Sequence, residues 1–243
     1  MNDPNQSREL TKRDFLAALN RMVAVFEEER DSLCRMDSII GDGDHGITMA
    51  CGFRAVAEKL PAVQDEDIGT IAGMVGSILI GGIGGVTGPI FGTVFARLAA
   101  QARGRDRLSV ADLARALRSA VDGVRAIGHA NVGDKTMVDA LAPAADTLER
   151  AASEGLDMGS ALEQAAQAAE EGARSTVSMR ATKGRARYLG ERSVGHQDAG
   201  ATSFALIMKA LSQSYWTAHR AHASRGGPGT PGSSSGPTIG HVD

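Results

Sequence analysis

The chain has 243 residues, of which 42% are hydrophobic, enough to build one large domain or two small ones around a buried core. Its formal net charge of −3 includes no basic excess, and no stretch clusters Lys and Arg with aromatic residues, which argues against nucleic acid as a partner. Aromatic residues make up only 4% of the chain while Ala and Leu are abundant, a composition that favours closely packed helices over a β-sandwich.

Helical patterns run along most of the chain. Thr11 followed by Asp14 resembles a capping arrangement, and the apolar spacing beyond it predicts a first helix over about residues 12–31. Cap-like Ser109 and Asp112 precede a second apolar stripe. No segment alternates apolar and polar residues for long enough to require a sheet, so we expect an all-α fold with about eight helices. The remaining helices are predicted at roughly 46–60, 68–80, 89–103, 134–153, 159–178 and 199–220.

We expect a single helical domain over residues 1–222, because no internal repeat or linker divides the chain. From about Ala223 onward Gly, Pro and Ser dominate, and this composition buries too little apolar surface to offset chain entropy. Residues 223–243 are therefore predicted to be a flexible tail.

The cysteines, the N-terminus and one uncharged stretch bear on the cellular location of the protein. Cys34 and Cys51 are the only cysteines, and the N-terminus is polar, which together favour reduced thiols in a cytoplasmic protein. The stretch from Ile68 to Ala96 has no charged residue and could span a bilayer by length. It contains nine glycines and one proline, however, and lipid-exposed backbone must satisfy its own hydrogen bonds. We therefore expect no membrane partner.

The densest polar group of the chain runs from Asp37 through Gly41-Asp42-Gly43-Asp44-His45-Gly46, between the first predicted helix and the next. Its glycine spacing matches a dinucleotide fingerprint, but uncompensated carboxylates would repel a phosphate. A calcium EF-hand fails because Gly46 occupies its third acidic position and no Glu ends the loop. Oxygen ligands of this kind suit Mg²⁺ shared with phosphate groups, and a polar turn that caps a helix is the alternative.

Two more loops could bind an anion. The segment from Gly81 to Pro89 can turn several N–H groups towards a phosphate, although its glycines could equally serve close helix packing. The segment from Gly184 to Gly200 is a polar loop whose arginines could reach a phosphate or simply remain solvated; they are Arg185, Arg187 and Arg192. His129 and His196 lack a paired ligand spacing, and neither is assigned a role.

Taken in order, these segments resemble the nucleotide-binding L subunit, or L domain, of dihydroxyacetone kinases. The resemblance extends over residues 37–201. It rests on Gly41 to Gly46, Gly84 to Pro89 with Phe91 to Thr93, Gly133 to Met137, and Gly184 to Gly200. One departure is the segment from Ile83 to Val86, which is bulkier than the family's usual Ala/Ser version.

What the resemblance implies is an antiparallel barrel of eight helices that binds ATP or ADP at one end with two Mg²⁺ ions. Asp37, Asp42 and Asp44 would be the metal ligands. The residues that would lie beside the nucleotide are His45, Gly46, Ile47 and Thr48 near the phosphates, Val86 and Thr87 in the glycine loop, Gly128 and Met137 at the adenine, and Arg185, Asp198, Ala199 and Gly200 over the nucleotide.

The implied activity is phosphotransfer from the nucleotide to an alcohol group of a short ketose, dihydroxyacetone or a four-carbon ketose such as erythrulose. The family holds that ketose on a separate K subunit, so a partner chain is expected and no catalytic base is assigned on this chain. Some members use free ATP, whereas others keep ADP bound and have it rephosphorylated by a phosphotransferase-system donor protein; the motifs leave both open. The alternative function is a non-catalytic ADP/ATP carrier or regulator that acts through protein contacts.

Overall fold

The computed structural model describes residues 9–223, with side chains described as far as residue 220. Within that range the chain forms α1 (Lys12–Glu28), α2 (Arg30–Ile40), α3 (His45–Lys59), α4 (Ile68–Gly82), α5 (Thr87–Ala102), α6 (Val110–Gly128), α7 (Val138–Glu154), α8 (Met158–Ser175) and α9 (Ala199–Ala223). Two short strands, β1 (Glu9–Thr11) and β2 (Arg107–Ser109), pair antiparallel. Short 3₁₀ segments cover Leu60–Ala62, Thr176–Ser178 and Ala186–Ser193.

Eight of these helices close into a ring. Along the chain from α3 to α9 each helix packs against the next, and α1 fills the remaining gap between α9 and α3. Sequence neighbours in the ring are antiparallel, as expected for adjacent helices in a bundle; the connections from α3 to α8 are short, whereas residues 176–198 form a longer one between α8 and α9. Helix α2 lies outside the ring, against α3 and α9. The all-α fold and the antiparallel eight-helix barrel expected from the sequence are confirmed.

One end of the barrel, which we call the closed end, carries the N-termini of α1, α4, α6 and α8. Each of these helices begins with a side-chain cap that accepts a backbone N–H of the first turn, and the four caps are Thr11, Asp67, Ser109 and Asp157. The β1–β2 pair and the bond from Ile68 N–H to the Arg105 carbonyl tie the same end together. The opposite end, which we call the open end, carries the N-termini of α3, α5, α7 and α9.

The barrel is filled by small and medium side chains, with Ala prominent on α7 and α8. Close approach is visible at Gly172, where a Cβ would lie 2.1 Å from the Asp139 carbonyl oxygen. Some of the few aromatic residues pack on one another, as Phe26 and Phe53 do with ring centroids 4.5 Å apart. Such a core matches the low aromatic content of the sequence.

Three local expectations were wrong. The first helix ends at Glu28, and the chain then forms α2, so that Asp37 is helical instead of lying in a loop. The β1–β2 pair was not expected, because strands of three residues are too short to leave a periodic pattern. The predicted loop from Gly184 to Gly200 contains the 3₁₀ segment Ala186–Ser193, interrupted at Gly190.

The uncharged stretch from Ile68 to Ala96 folds as the α4–α5 hairpin of the barrel wall. Across the described part of the chain, no helix combines the length and the apolarity needed to traverse a bilayer. Of the tail predicted over residues 223–243, only Ala223 is described, as the last residue of α9; the others lie outside the described residues.

Candidate functional site

A cavity of about 450 Å³ opens at the open end of the barrel. Its wall is built from the end of α2 with the loop that follows, the first turns of α3, α5, α7 and α9, the end of α6, and the segment from Lys183 to Arg187. Most residues predicted to bind metal or nucleotide lie in this wall: Asp37, Asp42, Asp44, His45, Val86, Thr87, Gly128, Met137, Arg185, Asp198, Ala199 and Gly200.

Three predicted nucleotide contacts do not line the cavity: Gly46, Ile47 and Thr48. Gly46 packs α3 against α2, because a Cβ there would lie 1.9 Å from the Arg30 carbonyl oxygen. Ile47 is 53% exposed on the outer side of α3. Contact between any of these residues and a ligand stays a prediction.

The acidic cluster consists of Asp37, Asp42 and Asp44, which each offer a carboxylate oxygen within 4.8 Å of the others. Asp37 projects from the last turn of α2, and its Oδ2 accepts the backbone N–H of Gly43 at 2.8 Å and of His45 at 3.4 Å. These bonds fold the intervening loop back onto the end of α2. Gly43 sits at φ +79°, a left-handed conformation that glycine adopts without strain.

Partial burial and the neighbouring carboxylates of Asp42 and Asp37 raise the pKa of Asp44, while Arg185 opposes this rise. The pKa of His45 is lowered by burial, and its Nε2 lies 2.8 Å from Ser203 Oγ. The imidazole is neutral and therefore adds no positive charge beside the three crowded carboxylates. The acidic cluster as a whole is negative. Such a site suits a divalent cation with hard oxygen ligands.

Arg185 forms an ion pair with Asp42 across the mouth of the cavity, although the two residues are 143 positions apart in sequence. Its side chain is 68% exposed, so the pair is solvated and contributes little to stability. The same guanidinium could instead donate to a phosphate at this position.

Helix α5 begins at the cavity without a side-chain cap. Its first N–H groups and the positive end of its dipole are therefore available to an anion. Helix α3 has no cap from its own N-cap residue Asp44, but Asp37 accepts the N–H of His45, its first residue. Helix α7 is intermediate: its N-cap Met137 offers no cap, but Thr136 Oγ1 accepts the N–H of Val138 at 3.2 Å. The cavity thus combines a negative cluster with the uncapped N-terminus of α5.

An apolar part of the wall was missed by the sequence reasoning. It is formed by Ile90, Phe91, Val124, Ile127, Ala130 and Val138. These residues come from α5, α6, α7 and the loop after α6, and in the sequence each looks like an ordinary member of a helical apolar stripe. Their position makes this side of the cavity suitable for a flat, largely apolar ring.

The glycine loop serves both of the purposes considered for it. A Cβ at Gly88 would lie 2.5 Å from the Leu79 and Ile83 carbonyl oxygens, whereas Gly84 and Gly85 have open space around them. Ile83, the bulky departure from the family pattern, points into the barrel, where Gly52 makes room for it. Val86 and Thr87 are left at the cavity wall.

The other arginines and the histidines considered from the sequence differ in whether they line the cavity. Arg187 lines the cavity, whereas Arg192 and the two unassigned histidines do not. His129 ends α6 in a left-handed conformation with φ 47°, a structural position.

Lys135 also lines the cavity and was not among the predicted site residues. Its side chain is 1% exposed, which is rare for a lysine. The sequence carries it inside the block from Gly133 to Met137, where a polar run normally indicates a solvated turn. No local signal marks it as buried.

Comparisons with known proteins show the family to which the chain belongs. The model of the DAK2 domain matches residues 39–213. The chain is 43% identical over 203 residues to the PEP-dependent dihydroxyacetone kinase, ADP-binding subunit DhaL, of Escherichia coli, covering 84% of this chain and 97% of that protein. It is 35% identical over 206 residues to the L-erythrulose 1-kinase of Mycolicibacterium smegmatis, covering 83% of this chain but 35% of that protein.

Among solved structures, the dihydroxyacetone kinase from C. freundii in complex with AMP-PNP and Mg²⁺ superposes with a TM-score of 0.63 at 27% identity. The match covers 82% of this chain and 33% of that one, so this chain corresponds to about one third of the larger enzyme.

Proposed function

Because this chain belongs to the DAK2 domain family, we propose that it is the nucleotide-binding subunit of a dihydroxyacetone-type kinase. In this function it presents Mg-bound ATP, or tightly bound ADP that is rephosphorylated in place, to a short ketose held on a separate K subunit. The E. coli relative is named an ADP-binding subunit and is covered almost completely, which supports the same division of labour here.

The observation that carries the proposal is the pairing of opposite charges within one cavity. Asp37, Asp42 and Asp44 lie on one side, and the uncapped N-terminus of α5 opens onto the same space. Bare carboxylates would repel a polyphosphate, whereas carboxylates that bind divalent cations attract it. The N-terminus of α5 would then receive phosphate oxygens.

The three aspartates would hold two Mg²⁺ ions, and these ions, when bound, neutralise charge on the phosphate oxygens during transfer. The chain's own groups would position the nucleotide. Val86 and Thr87 would present backbone N–H groups of the glycine loop, Arg185 would move from Asp42 to a phosphate, and the apolar wall near Met137 would border the adenine.

The subunit would act with two kinds of partner. A K subunit would supply the ketose. The catalytic base would also lie on that subunit and not on this chain. A phosphotransferase-system donor would rephosphorylate bound ADP if the chain works like the PEP-dependent relatives of E. coli and Listeria innocua. Dihydroxyacetone is the favoured acceptor, with erythrulose as the rival suggested by the kinases of Mycolicibacterium smegmatis.

The proposal is tested on the purified full chain. Mass spectrometry of the denatured protein identifies any co-purified nucleotide, and calorimetry measures ADP binding with Mg²⁺ and after exhaustive chelation. We expect ADP to bind with Mg²⁺ and to lose most of its affinity on chelation, because the carboxylates then face the phosphates directly. Equal affinity in both conditions would contradict the metal-bridged site.

Exchange with labelled ATP then separates the two modes of action. Rapid exchange in the presence of Mg²⁺ indicates use of free ATP, whereas retained ADP indicates a protein donor. Retained ADP without phosphotransfer to either ketose, when the K subunit and donor are supplied, would favour the non-catalytic carrier.

A further inference from the structure

Lys135 is buried at the open end under a segment that we call the strap, residues 176–198, which connects α8 to α9. The strap carries Arg185 and Asp198, both in the cavity wall. Lys135 itself adopts φ +62°, a left-handed conformation that costs a side-chain-bearing residue energy and is kept only where surrounding contacts fix it.

The ammonium group of Lys135 joins both ends of the strap. Nζ donates to the Thr176 carbonyl oxygen at 2.5 Å and also to the His196 carbonyl oxygen. These carbonyls belong to the first residue of the strap and to a residue close to its last, so Lys135 bonds the points where the strap leaves α8 and reaches α9. The same ends are also joined directly, because the Asp198 N–H donates to Thr176 Oγ1 at 2.9 Å and the Gly195 N–H donates to the Val177 carbonyl oxygen at 2.7 Å. Bonds from a charged donor are stronger than those between neutral groups.

The turn around Lys135 makes further contacts that hold it in place. Asp139 accepts the backbone N–H of Gly133 at 2.5 Å and of Thr136 at 2.7 Å, which fixes the turn on both sides of Lys135. Asp134 accepts the hydroxyl of Thr182, and its carbonyl accepts the Thr182 N–H at 3.3 Å. The first part of the strap is therefore tied, through Thr182, to the residue next to Lys135.

The groups around the Lys135 ammonium explain why a lysine is suitable at this buried position. Burial lowers the pKa of Lys135, while the carboxylates of Asp198 and Asp139 counter this shift. A buried cation is tolerated only with such partners, and two carbonyls together with two carboxylates provide them. A neutral side chain of similar length would fill the space without donating to the carbonyls.

We propose that Lys135 is a positioning residue that holds the strap closed over the nucleotide, so that Arg185 and Asp198 remain in the cavity wall. This inference rests on the proposed nucleotide-binding function. Lys135 acts on the ligand through the strap and sets how long a nucleotide stays bound.

The test uses Lys135→Met in the full chain, with Thr182→Val as a milder second variant that removes only the side-chain bond to Asp134. Leu162→Ala, at the closed end, is the matched control that lowers stability without touching the strap. Dissociation of a fluorescent ADP analogue with Mg²⁺ is followed by stopped flow. Trypsin cleavage after Lys183, Arg185 and Arg187 is mapped by mass spectrometry, and melting temperatures are recorded for all variants.

We expect Lys135→Met to speed ADP dissociation by about tenfold or more, since it removes two charge-assisted hydrogen bonds. Strap cleavage in the ADP-bound protein should rise in parallel, and Thr182→Val should change both in the same direction by less. Leu162→Ala should lower the melting temperature and leave both readouts unchanged.

Wild-type protein that binds no ADP with Mg²⁺ would remove the proposed function itself. Wild-type binding with unchanged dissociation in Lys135→Met would overturn only the role of Lys135. If Lys135→Met fails to fold, unchanged dissociation and cleavage in Thr182→Val would overturn the strap model. Equal acceleration in Leu162→Ala would also contradict it, because the effect would then follow stability.

Discussion

The two ends of the barrel are built from helices of the same kind, but they differ in how the helix N-termini are capped. At the closed end, four helix N-termini carry side-chain caps, and two of these are reciprocal capping boxes at Thr11 and Ser109. At the open end, α5 begins without any such cap, whereas Asp37 accepts the first N–H of α3 and Asp198 accepts the Ala201 N–H of α9. Since an uncapped N-terminus forgoes a stabilising bond, the N–H groups of α5 are the ones that a ligand could use.

The pKa values of acidic side chains also differ between the two ends. At the closed end Asp112 is bonded to Ser109 and paired with Arg105 and Arg115, and these partners lower its pKa against the opposing effect of burial. At the open end the carboxylates crowd one another, and the pKa of Asp44 is raised. Asp112 thus stabilises the fold, whereas the crowded carboxylates of the acidic cluster suit a divalent cation.

The largest effect should come from Asp42→Ala at the open end. We expect Mg-dependent ADP binding, and phosphotransfer with the K subunit supplied, to fall by more than about a hundredfold, because even outer-shell partners of a metal contribute 10–100-fold. Calorimetry and a coupled assay measure the two losses. Asp122→Ala, exposed on α6 outside the cavity wall, is the matched control and should behave as wild type. Unchanged turnover in Asp42→Ala would remove the metal assignment.

A pH effect should come next, from Asp198. Burial is the main cause that raises its pKa to about 6; Asp139 and Asp37 add to the rise, while the Ala201 N–H bond and Lys135 oppose it. Between about pH 4 and 6 the unfolded chain has lost this proton and the folded chain keeps it, so the free energy of unfolding falls as pH rises through that window and is flat above it. The loss is at most about 3 kcal/mol, at about 1.4 kcal/mol for each pKa unit.

Urea unfolding of the chelated protein from pH 4 to 7 measures this dependence. Asp198→Asn should flatten it within that window, while Asp157→Asn at the closed end should not. An unchanged slope in Asp198→Asn would show that other groups produce it.

The smallest effect is a contrast in stability between the two ends. Ser109→Ala removes a capping box and should lower the free energy of unfolding by about 1 kcal/mol. Asp44→Asn, measured with a chelator, should not lower it, because this change relieves repulsion from Asp42 and Asp37. Urea denaturation measures both. Equal destabilisation by the two changes would mean that the ends do not differ in the proposed way.

Much of the fold could be predicted because its signals are local. A capping pair such as Thr11 and Asp14 lies within one helical turn, and apolar periodicity repeats every few residues. The break between α1 and α2 was missed since neither Gly nor Pro marks Glu29. That break places Asp37 on a helix, although its carboxylate still meets Asp42 and Asp44 as the sequence predicted.

The sequence by itself determined the all-α class, most helices and the acidic cluster, whose three members lie within eight positions from Asp37 to Asp44. Only the tertiary structure decided that the apolar wall residues and Lys135 also face the cavity. Ile127 and Lys135 have ordinary local surroundings in the sequence, and they become wall residues because helices and strap distant along the chain pack around them. Caps and periodicity depend on a few neighbouring residues, whereas burial depends on the whole barrel.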